Sequence, residues 1–178
     1  NSFHMTKYSN FNNEQKNKLY TNVLLLCRNK LFYTNLNLID TFHNRIILIF
    51  IHISFIFIKI KQDNQKSDFK IFSQEMFDLI FNKIDINIRE IGYGDTTVNK
   101  NMKFLIKSFY DILLNCEKYR KMSLDQKGNF LIKYLKLNIP LNKANNKAII
   151  DYFDKYESFC FDLSSDSVLK GEIIFNYK

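Results

Sequence analysis

The stretch NIREIGYGDTTVNKNMKFLIKSFY, Asn87 to Tyr110, constrains the fold most, because it joins turn chemistry to helix chemistry within one segment. Two of the chain's four glycines, Gly92 and Gly94, stand here two residues apart. Ahead of them Phe77, Ile80, Phe81, Ile84, Ile88 and Ile91 recur at helical spacing, so Gly92 falls where a helix commonly closes on a left-handed residue. Beyond them Asp95 or Thr96 is placed to cap a second helix. Its apolar stripe is Val98, Met102, Leu105, Phe109 and Ile112, and Lys100, Lys103 and Lys107 occupy another face. The predicted unit is helix, glycine corner, basic helix.

These residues also carry a family resemblance. Arg89, Glu90, Ile91, Gly92, Tyr93, Gly94, Asp95, then Val98, Lys100, Met102, Lys103 and the pair Phe109 and Tyr110 resemble the signature of the ubiquinol-cytochrome c chaperone family. That signature reads Arg-Glu-Met-Gly-Val-Gly-Asp, a small or apolar pair, a Lys-rich helix start and a Phe-Tyr pair; here Ile91 and Tyr93 replace Met and Val. Upstream, Phe32-Tyr33, Asp40-Thr41, Arg45 and His52 fit the same pattern, with Ile39 and Asn44 where the family usually has Pro and Gly. Near the end, Leu169, Gly171 and Phe175 match its closing residues. The resemblance spans about residues 20 to 175.

Composition bounds the fold class. A chain of 178 residues can bury a core without staples, and four glycines with one proline leave few turns for a β-sandwich. Cys27, Cys116 and Cys160 are odd in number and widely spaced, so they read as buried or half-buried free thiols, with no metal site. From Lys100 to Lys136 nine basic residues face three acidic ones, a local +6 within a chain of net charge +8. Such an excess fits either a solvated helical face or a surface for an anionic partner, ribosomal RNA or an acidic membrane surface; the resemblance would make that ribosome a mitochondrial one. A chain opening on Asn1 is consistent with removal of a leader.

The predicted order begins with an extended arm over residues 1–12, followed by a helical domain over 13–178 whose first helix spans Asn13 to Asn29. A polar connector follows, with Asp40 or Thr41 capping the next helix. In the run IILIFIHISFIFIKI, Ile46 to Ile60, β-branched and aromatic residues favour a strand, whereas its length favours a buried helix. A bundle needs a helix that is apolar all round at its centre, and the resemblance points the same way, so a central helix is expected. The run is too short, and too interrupted by His52 and Ser54, to span a membrane. Gln62 to Lys70 reads as a polar connector, with Asp68 or Ser73 opening the helix that reaches Ile91. The basic helix runs to about Asn115. Ser123 with Gln126 forms a capping box, Pro140 ends that segment, and Ala144 to Leu163 makes a last long helix. The whole predicts an all-α, compact single-domain bundle of about six helices.

No catalytic constellation, cofactor loop or metal cluster emerges from the residues. His52 on an apolar helix reads as a core histidine, and His43 as a surface one. Arg45 makes either a polar contact at a helix start or a partner contact; Arg89 and Glu90 either tie two helix ends together or serve a function. Gly92, Gly94 and Asp95 lack the rest of a phosphate loop. By resemblance, the chain is expected to be a non-enzymatic assembly factor, peripheral on the matrix side of the inner mitochondrial membrane. It would capture newly made cytochrome b for respiratory complex III together with a small partner protein, and would have no small-molecule substrate. Such a chaperone calls for an apolar groove beside a basic rim, for which Arg45, Lys100, Lys103 and Lys107 are candidates. The alternative expectation is the same fold recruited as a permanent subunit among neighbouring respiratory-complex subunits or in another large mitochondrial assembly.

Overall fold

Fifteen side chains of one helix, from Asn44 to Ile60, are buried, and the remaining helices are arranged around that rod. The structure, a computed structural model, describes Tyr8, residues 11–138 and residues 143–178, the side chains of 143–145 excepted. Its helices are α1 (Asn13–Cys27), α2 (Leu31–Thr34), α3 (Phe42–Asp63), α4 (Lys66–Glu90), α5 (Asp95–Lys118), α6 (Leu124–Tyr134), α7 (Lys143–Asp162) and α8 (Ser165–Leu169). Six of these have eleven residues or more, and the fold is all-α as expected.

The apolar run is the centre of α3. A strand buries two faces and needs partners along both edges, whereas a helix satisfies its own backbone and can be covered on every side. The rings show what covers it: Phe50 meets Phe81 of α4 and Phe109 of α5, while Phe57 meets Phe72 and Phe109. On another side Phe55 meets Tyr156 of α7 and Tyr119, in the 3₁₀ turn Tyr119–Lys121 that prolongs α5. Residues early in α3 meet those late in α4 and early in α7, so α4 runs antiparallel to α3 and α7 runs with it. Among the described residues no helix is long and apolar enough to cross a membrane.

Capping fixes several boundaries. Thr41, of the two candidates, caps α3, its hydroxyl accepting from the Asn44 amide at 3.1 Å. Ser123 and Gln126 form both bonds of the capping box that opens α6. Gly92 ends α4 with φ +103°, a conformation costly for any residue with a Cβ. α5 then starts without the expected side-chain cap: Gly94 occupies the cap position, and Asp95 lies in the first turn instead of before it. The carboxylate of Asp95 is drawn back to Arg89, so neither it nor Thr96 bonds the free amides.

The segment Gln62 to Lys70 is also not the polar connector expected. α3 runs on to Asp63 and α4 begins at Lys66 rather than at Asp68 or Ser73, leaving only Asn64 and Gln65 between them. Most of the polar residues there lie on solvent faces of the two helices, although Asp68 is buried, and the break is Asn64, whose extended backbone is pinned by its amide to Ile60 O at 2.9 Å and Ser165 Oγ at 3.0 Å. His43 is not a surface residue either: it is half-buried, with Nε2 3.0 Å from the Tyr134 carbonyl oxygen.

Asn44 is fully buried. Its amide donates to the carbonyls of Ile39 and Lys136, each at 2.8 Å, and accepts from Lys136 N at 2.9 Å. It thereby ties the start of α3 to the segment after α6, beside the isolated bridge between Leu38 and Leu137. At the far end of the chain Gly171, at φ +71°, brings the backbone so close to α1 that a Cβ would sit 2.8 Å from Leu19 N. Of the arm expected over residues 1–12, residues 1–7, 9 and 10 lie outside the described residues, as does Pro140. Phe11 is buried against Phe72 at 5.4 Å.

Candidate functional site

A cleft of about 460 Å³ opens between the end of α1, the start of α3 and the last turns of α4. Its walls are apolar, with Leu24 from α1, Ile46 and Ile49 from α3 and Ile84 from α4. These side chains come from three turns of helix far apart in sequence. Its mouth is cationic. Arg45 stands there bonded to Asp40, Nη2 at 2.7 Å and Nε at 2.8 Å from the same oxygen, and that contact raises the guanidinium pKa further. Arg28 and Lys30 share the mouth, both exposed and neither in an ion pair among the described residues. A groove with a basic rim is therefore present, but the rim is Arg28, Lys30 and Arg45.

Lys100, Lys103 and Lys107 border none of it. They lie exposed along the outer face of α5, without ion pairs among the described residues. Among and beyond them the same face exposes Phe104 by 58%, Tyr110 by 52% and, a turn further on, Leu114 by 55%. The Phe-Tyr pair divides its work: Phe109 points into the core against Phe50, Phe57 and Phe81, while Tyr110 stacks on Phe77 of α4 at 5.8 Å and leaves its outer side open. Because α5 follows the corner, this face begins at the end of the bundle that also holds Arg45.

At the corner itself Arg89 pairs with Asp85, Nε to Oδ2 at 3.1 Å, and across the glycines with Asp95. Arg89 thus ties the two helix ends through carboxylates rather than free carbonyls. Glu90 is exposed. Ile91 and Tyr93 are both more than half exposed beside the two glycines.

His52 is sealed in the core, ringed by Phe32, Tyr152, Phe153 and Tyr156. Nδ1 lies 2.6 Å from the Leu48 carbonyl, so it carries the proton and donates; Nε2, 2.7 Å from the Tyr152 hydroxyl, accepts. Burial holds its pKa down to about 4. The ring is a satisfied neutral group that no substrate reaches. Among the described residues no group of three His, Cys, Asp or Glu side chains is placed to hold a metal ion. The chemistry these surfaces offer is adhesion, apolar area beside positive charge.

Of the rim residues expected from the sequence, Arg45 borders the cleft and the α5 lysines do not, while Arg28, Lys30 and Leu24 border it without having been expected to. Arg28 and Lys30 stand just past the last turn of α1, where basic residues are ordinary, so composition gave no reason to single them out.

Comparison with known proteins follows the same lines. The family described as ubiquinol-cytochrome C chaperone matches residues 34–175. No curated protein sequence matches the chain. Among solved structures, the crystal structure of the Cbp3 homolog from Brucella abortus is similar with a TM-score of 0.79 and 20% sequence identity, covering 95% of this chain and 92% of that one. At that identity the likeness speaks for the fold, while the family match takes in most of the chain, from the end of α2 to the residues after α8. The chain belongs to the ubiquinol-cytochrome C chaperone family.

Proposed function

We propose that this non-enzymatic chaperone holds newly synthesised cytochrome b, and so promotes biogenesis of respiratory complex III, from a peripheral position on the matrix side of the inner mitochondrial membrane. The observation that carries the reading is the cleft at the Arg45 end, whose apolar walls lie under a cationic mouth. A membrane-destined polypeptide exposes apolar segments flanked by charge until it inserts, and a groove of this kind can cover one turn or two of such a segment. The face of α5, with lysines among exposed apolar side chains, is then available to a second partner, a small assembly factor or the mitochondrial ribosome.

Affinity capture of the tagged full chain from native mitochondrial membranes, with identification of the associated chains, tests the proposal. Cytochrome b and complex III assembly components are expected in sub-stoichiometric amounts that fall when mitochondrial translation is blocked. Recovery at fixed stoichiometry with a mature respiratory complex, insensitive to that block, would instead identify a permanent subunit.

A further inference from the structure

A second hollow lies at the opposite end of α5 from the glycine corner. It is a shallow, open depression of about 590 Å³, bordered by the last turns of α5, the 3₁₀ turn and α6. Lys118, Lys121 and Lys133 line it over a floor formed by Met122 and Phe130, and no Asp or Glu is among its lining residues. Lys133 is held by Asp111 at 3.1 Å. Lys118 and Lys121 are exposed and enter no ion pair among the described residues. Of the two acids nearest in sequence, Glu117 is turned the other way, toward Lys61 of α3 at 2.7 Å, and Asp125 is exposed in the first turn of α6 and does not line the hollow. Asn129 adds an amide with no hydrogen bond of its own among the described residues.

We infer that this hollow seats the phosphate headgroup of an acidic phospholipid and orients the chaperone on the bilayer. Ammonium groups around a concave apolar floor offer charge-assisted bonds to a phosphate diester. The surroundings favour a lipid over a nucleic acid. Leu114 stands one helical turn before Lys118, and Leu124 lies between Met122 and Gln126; they are 55% and 60% exposed. Apolar side chains projecting beside lysines suit the boundary between headgroups and acyl chains, whereas a strand of RNA would call for rings presented to stack bases. In this orientation the Arg45 cleft lies at the far end of α5. The inference rests on the peripheral location proposed above.

The test is co-sedimentation of the full chain, without client, with vesicles of phosphatidylcholine alone or of phosphatidylcholine and phosphatidylglycerol in equal parts. Binding is expected to the mixed vesicles only. Each lysine at an anionic surface contributes roughly fivefold, so Lys118→Gln with Lys121→Gln should weaken binding about thirtyfold. Lys100→Gln with Lys103→Gln removes the same charge near the opposite end of α5 and should weaken it far less. Equal losses in the two double variants would overturn the headgroup site while leaving the peripheral location standing. No binding to either vesicle would overturn both. Displacement by millimolar inorganic phosphate would reassign the hollow to a free phosphate ligand, and tighter binding of a single-stranded RNA homopolymer, lost in the Lys118 and Lys121 variant, would reassign it to RNA.

Discussion

A histidine sealed among four aromatic rings can stay folded only while it is neutral, and His52 ties the stability of the protein to pH for that reason. Burial lowers its pKa to about 4 from an ordinary 6.5, so the unfolded chain takes up a proton that the folded one refuses between those values. Its contribution is fully present above pH 6.5 and is lost as pH falls toward 4; by pH 5 about 2 kcal/mol should be gone. Chemical denaturation at pH 7 and pH 5 checks this: His52→Gln should show a smaller loss between the two than the parent chain. The two corner glycines separate in a similar way. Gly92 needs its positive φ, and a Cβ there meets nothing, so Gly92→Ala should cost about 1–2 kcal/mol through backbone strain alone. Gly94 has an ordinary backbone and open surroundings, so Gly94→Ser should leave stability unchanged or raise it by a few tenths of a kcal/mol by supplying the missing cap. Thermal melts that find the two equally damaging would refute the conformational account.

At the scale of elements, Phe109 is where three helices meet: its ring touches Phe50 and Phe57 of α3 and Phe77 and Phe81 of α4. Phe109→Ala should cost about 4 kcal/mol, the range for a large cavity in a close-packed core, whereas Phe109→Leu should cost much less; urea midpoints separate them. Much of this layer was legible in the residues. The central run could be identified as a helix because its length and all-round apolarity fit a buried rod and the family resemblance pointed the same way, although its β-branched content argued otherwise. The corner was legible because Gly92 has a steric reason to be there. The boundary between α3 and α4 was not, since Gln62 to Lys70 is polar for facing water and the break depends on Asn64 reaching Ser165, about a hundred residues away. Asn44 was hidden for the same reason: its partners, Ile39 and Lys136, come together only once α6 has folded back on α3.

Two of the described basic surfaces, the mouth of the cleft and the hollow at the far end of α5, are ones that no linear reading separates. Arg45 was legible from its motif, but the groove it borders is assembled from Leu24, Ile46 and Ile84, which share no segment, so its rim could not be read from spacing. That rim can be tested apart from the fold. The Arg45 and Asp40 side chains are 60% and 52% exposed, and a pair so wet contributes little, so Arg45→Ala should change stability by no more than about 0.5 kcal/mol. Among the described residues Arg28 and Lys30 have no ion pair to lose. A triple variant, Arg28→Ala, Lys30→Ala and Arg45→Ala, should therefore melt within a few degrees of the parent chain while capturing several-fold less client from membranes. The α5 triple, Lys100→Ala, Lys103→Ala and Lys107→Ala, carries the same change in charge. If it lowers client capture as much as the rim variant does, the cleft has no special claim on the client; if only the rim variant loses capture, the apolar groove beneath Arg45 is where the client is held.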